Sequence, residues 1–110
     1  MDMIGTNLEQ SGKLIVAGYL LDSDMTNFSM ESNGEAVLVT QMTGEFAQVS
    51  SVLVDDKEVD VAPTPSFSMS KLISLLGVGQ LSILLCENDV EDTAALMDMM
   101  VTKLCEQNQN

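Results

Sequence analysis

Carboxylates are the only chemical groups that this sequence gathers in number. Asp55, Asp56, Glu58 and Asp60 crowd into one short run, and Asp22 and Asp24 flank Ser23. Close-set carboxylates can bind a divalent cation, work as a general acid and base, or face a basic protein surface. The first two uses need more than the sequence supplies. A calcium loop starting at Asp22 requires Gly at its sixth position and Glu at its twelfth; Asn27 and Asn33 stand there instead. Acid–base catalysis by Asp or Glu requires a cleft that raises the carboxyl pKa. The run 55–60 lies between two valine-rich segments and reads as an exposed hairpin tip. The third use remains. The plainer reading of the same residues is a solvated turn that keeps the chain in solution.

Other chemistry is excluded by what is missing. Seventeen acids face four lysines, Lys13, Lys57, Lys71 and Lys103, for a net charge of -13 on 110 residues. There is no histidine and no arginine. Ser–His and Cys–His nucleophile pairs are therefore impossible, and so are imidazole metal ligands and bidentate phosphate clamps. Four lysines cannot neutralise a nucleic-acid backbone, and a field of this sign repels nucleic acids and anionic lipid. Gly77-Val78-Gly79 near Lys71 is no phosphate loop, because Lys-Ser/Thr does not follow the glycines. Cys86 and Cys105 lie in apolar runs, away from any base, and are expected to be buried structural thiols. We expect no catalytic residue, no metal and no cofactor.

The elements that must position the acids follow from hydrophobic pattern and turn chemistry. Asn33-Gly34 is a strong hairpin signal, with arms expected over 27–32 and 35–41. A second hairpin turns at Asp55–Lys57, where Asp56 or Lys57 must take a left-handed conformation. Its second arm alternates Val59 and Val61 with Glu58 and Asp60, so one face is wet. Residues 1–12 read as a loose arm, and 13–21 as a buried strand, although a helix fits that run as well. Pro63 and Pro65 are expected to end the sheet. A helix over 69–76 should stop at Gly77, and 81–86 reads as a central strand. A last helix, 90–106, capped at Asn88 or Asp89, precedes a frayed tail at 107–110. Strands followed by helices predict a single α+β domain over 13–106, with a mostly antiparallel sheet and two C-terminal helices on one face.

Aromatics are only 4% of the chain, while methionine reaches nine, so aliphatic and thioether side chains must fill the core. The mean hydropathy of +0.19 is too high for a disordered acidic tail. On the last helix, Met97, Met99, Met100, Val101 and Leu104 can serve as core or as an oligomer or partner surface. No acid occurs between Val61 and Cys86, and Lys71 is the only charge there. That stretch is expected to be buried in the core or under a partner. The expected function is a small acidic, non-catalytic binding module, an inhibitor, adaptor or chaperone-like protein that meets a basic partner. The alternative is a homo-oligomeric assembly subunit. Two cysteines and an N-terminus without a secretory pattern suggest a cytoplasmic protein, of a cell or of a virus-infected host.

Overall fold

A computed structural model describes residues 5–108. It is an α+β structure with two antiparallel sheets and four helices. In order, these are α1 (Leu8–Val16), β1 (Met25–Ser32), β2 (Glu35–Thr43), β3 (Ser51–Val54), β4 (Lys57–Asp60), β5 (Ala62–Ser66), α2 (Met69–Leu76), α3 (Val78–Glu87) and α4 (Thr93–Gln107). One sheet has the order β2-β1-β5; the other is the β3–β4 hairpin alone.

The segment expected as a loose arm is ordered from Gly5 onward, and α1 begins within it. Asn7 and Gln10 form a reciprocal capping box: Gln10 N–H donates to Asn7 Oδ1 at 2.7 Å, and Asn7 N–H donates to Gln10 Oε1 at 3.0 Å. The run expected as a strand thus supplies the second half of α1 and a 3-10 turn at Leu20–Asp22. Residues 1–4, the rest of that arm, lie outside the described residues, as do the last two residues of the frayed tail.

The first hairpin forms as its turn dictates. Asn33 and Gly34 have φ of 53° and 81°, and the arms run longer than expected, over β1 and β2. A bulge follows Phe28. Pro63 and Pro65 do not end the sheet; they lie in β5, which pairs with β1 from Ala62 to Ser66. β5 is an edge strand, and prolines two residues apart can both turn their nitrogens away from β1, leaving the alternate residues to form the ladder.

A further correction is at α3. The apolar run 81–86 is helical, not a strand. Gly77, at φ 91°, lets the chain leave α2 and start α3 at an angle of 101°. Leu81 and Leu84 then pack against the helical core. α4 starts at Thr93 with Asp92 as its cap, accepting from Ala95 N–H at 2.7 Å; Asn88 instead closes α3 by donating to the Leu84 carbonyl.

The core is made by α1, α2 and α4 through Leu14, Leu72, Leu76, Met97, Met100, Val101 and Leu104, together with Phe67 from the link between β5 and α2. A buried polar layer joins the N-terminal segment to the sheet. Asn27 Nδ2 donates to the Thr6 carbonyl at 2.9 Å, and Gln41 Nε2 donates to Asn27 Oδ1 at 2.8 Å. Thr6 and Ser11 share a hydroxyl contact at 2.7 Å. Gly5 is needed there: an added Cβ would stand 2.6 Å from Met25 Sδ and 2.9 Å from the Phe67 carbonyl. On the other face of the sheet Phe28 is fully buried beneath Phe46, ring centroids 6.3 Å apart. Thr26 holds that cover in place, since its hydroxyl donates to the Gly44 carbonyl and accepts from Phe46 N–H.

Candidate interaction surface

The β3–β4 hairpin carries four of the six carboxylates singled out in the sequence. Cross-strand pairs are Ser51–Asp60, Val52–Val59, Leu53–Glu58 and Val54–Lys57. Directly opposed residues share a face. Val52 and Val59 are therefore together on one side, and both are half-buried. Leu53, Glu58 and Asp60 occupy the other side and are exposed, Leu53 by 75%. The turn consists of Asp55 and Asp56, at φ of 51° and 64°. The left-handed pair is thus one residue earlier than Lys57, as a two-residue type I′ connection requires. The result is a narrow arm whose outer face sets an apolar side chain among carboxylates, while the arm's one cation, Lys57, falls on the side of Val52 and Val59.

The other two acids are placed differently. Asp24 is half-buried and serves the fold: Oδ1 accepts from Ser68 N–H at 2.8 Å and Oδ2 from the Ser68 hydroxyl at 2.5 Å. Ser68 in turn caps α2 by accepting from Lys71 N–H. An acid beside a helix N-terminus is stabilising there. Asp22 ends the 3-10 turn and is half-buried. It stands close enough to Tyr19 that its charge adds to what holds the phenol above its ordinary pKa. Burial is the main cause, and Cys105 is the second. Burial likewise raises the Cys105 thiol, against the opposing pull of Lys13.

Of the methionine-rich helix residues, Met97, Met100, Val101 and Leu104 are in the core and Met99 is half-buried. Cys86, expected to be buried, is exposed on α3, and Cys105 is half-buried. The free thiol is exposed because the run around it is an outer helix and not a central strand.

A groove of about 230 Å³ was not foreseen. Leu20, Leu21, Phe46, Pro63 and Pro65 give it apolar walls, and Glu45 supplies a carboxylate. It is assembled from three separate segments, 20–26, 45–47 and 63–65, so no local pattern announces it. Among the described residues no three His, Cys, Asp or Glu side chains converge as a metal site would require. No single helix among them is long and apolar enough to cross a membrane. No protein-family model, curated protein or solved structure matches this chain.

Proposed function

We propose that this protein is a non-catalytic binding module that meets a basic partner surface through the β3–β4 hairpin. The observation that carries this reading is the hairpin's outer face, where the exposed Leu53 lies among Asp55, Asp56, Glu58 and Asp60 on an arm outside the main sheet. An isolated two-stranded hairpin is marginal in water. A partner that covers Leu53 and pairs its lysines or arginines with the surrounding acids would stabilise it. Charge on such a surface speeds encounter and selects the partner more than it adds affinity. Asp24 takes no part, because its oxygens are engaged by Ser68; Asp22 contributes only to the general field.

The test compares two variants of equal charge. In one, Asp55→Asn, Asp56→Asn, Glu58→Gln and Asp60→Asn neutralise the hairpin while asparagine keeps the left-handed turn accessible. In the other, Glu31, Glu35, Glu91 and Glu106 become glutamine. Binding of a lysine-rich amphipathic peptide is measured by titration at low and physiological salt. The hairpin variant should lose at least ~tenfold in affinity, the control much less, and salt should weaken the wild type steeply. Equal losses in the two variants would show that only net charge matters and would overturn the hairpin assignment.

A further inference from the structure

α3 differs from the other helices in that none of its residues is buried. Gln80, Leu81 and Leu84 are half-buried and, at 3.6 residues per turn, share one side. On the opposite side Val78, Ile83 and Leu85 are 73%, 47% and 47% exposed, with Ser82 and Cys86 between them. A shallow groove runs over Ser82, Ile83 and Cys86 to Glu87. A contiguous apolar face of this kind, on an otherwise acidic molecule, marks a contact surface.

Charge decides what fits it. Helices that lie on membranes carry lysine or arginine on their polar face, and α3 has neither. A basic partner finds only one attracting charge there, Glu87 at the end of the helix, because no acid occurs between Val61 and Cys86. A second copy of the chain is different. Two molecules of net charge -13 repel wherever their carboxylates face, and this stretch, with Lys71 as its only charge, lets them approach with the fewest opposed acids. An apolar stripe is also self-complementary across a two-fold axis. An antiparallel crossing would set each Glu87 beside the N-terminus of the other α3, which Gly77 leaves without a side-chain cap.

We propose that α3 is a homodimer contact, in which the outward faces of two copies pack antiparallel and cover Val78, Ile83, Leu85 and Cys86. The contact is independent of the hairpin, and it moves self-association from the methionine-rich α4, which fills the core, to the neighbouring helix.

Sedimentation equilibrium of the full chain over a range of concentrations tests it, at low and physiological salt. The wild type should dimerise, with an affinity that holds or tightens as salt rises. Ile83→Asp and Cys86→Asp should each weaken the dimer by at least ~30-fold, since a carboxylate would be buried at the contact. Leu53→Asp, on the hairpin, should leave it unchanged. Far-UV circular dichroism checks folding, and Cys86→Asp decides the matter if Ile83→Asp unfolds the chain. The proposal is overturned by a wild type that stays monomeric, by a dimer that survives the α3 variants, or by a monomer that binds phosphatidylcholine vesicles through α3.

Discussion

Two residues of similar burial respond to opposite accounts at the scale of a single side chain. Asn27 and Ser66 are both fully buried. Asn27 joins the Thr6 carbonyl, the Ser11 hydroxyl and Gln41. The Ser66 hydroxyl has no hydrogen-bond partner among the described residues. A buried polar group with no partner is destabilising, while removing one member of a satisfied network leaves the others stranded. Asn27→Ala should therefore cost about 3 kcal/mol. Ser66→Ala should be neutral or add about 0.5–1 kcal/mol. Urea denaturation of the two variants measures both, and a cost for Ser66→Ala as large as that of Asn27→Ala would reject the assignment of Ser66 as an orphan. No sequence pattern distinguishes these two positions, because whether a buried donor finds an acceptor depends on segments far apart in the chain. Asp24 teaches the same lesson. Its type and its neighbour Asp22 suggest a surface pair, yet Ser68, forty-four positions away, claims both of its oxygens.

What was legible at the scale of elements was whatever local chemistry decides. Asn33-Gly34 and the acidic turn between two valine runs each define a hairpin within a few residues, and both formed. The stop at Gly77 is equally local, whereas three nearby serines, Ser66, Ser68 and Ser70, are eligible as the cap and the fold uses Ser68. The run 81–86 is not local: five apolar residues and one serine fit a buried strand or a helix, and only the packing of Leu81 and Leu84 on the core chooses. β5 is hidden from local pattern for a similar reason, since prolines forbid a central strand but not an edge. The hairpin turn at Asp55-Asp56 allows a direct test. Both residues have positive φ, where an L side chain is strained and glycine is not. Asp56→Gly should stabilise the arm by about 0.5–1 kcal/mol. Because β3 and β4 pair only with each other, that gain should appear in the arm and leave the main sheet alone. Hydrogen exchange of the amides in 52–59 should slow by ~2–5-fold, with those of β1 unchanged. Uniform slowing across both sheets would mean that the arm unfolds only with the rest of the molecule.

The whole molecule is governed by its excess of negative charge, the feature most plainly written in the sequence. Seventeen acids and four lysines leave few opportunities for pairing. Among the described residues one ion pair forms, Lys13 with Glu9 at 3.5 Å, with both side chains largely exposed. An exposed pair of this kind contributes well under 1 kcal/mol. Screening therefore has almost no attraction to remove and much repulsion, which opposes the compact state. Sodium chloride added from low to physiological strength should raise the melting temperature, by ~4 °C if screening recovers about 1 kcal/mol. The same addition should weaken the hairpin's hold on a basic peptide, and it should leave an apolar α3 contact intact. Three responses of one molecule to one variable thus separate its fold, its acidic arm and its apolar helix. Differential scanning calorimetry at protein concentrations below the dimer range isolates the first of them. A melting temperature that fell with salt would mean that attractive charge pairs hold the fold together, contrary to the single exposed pair seen.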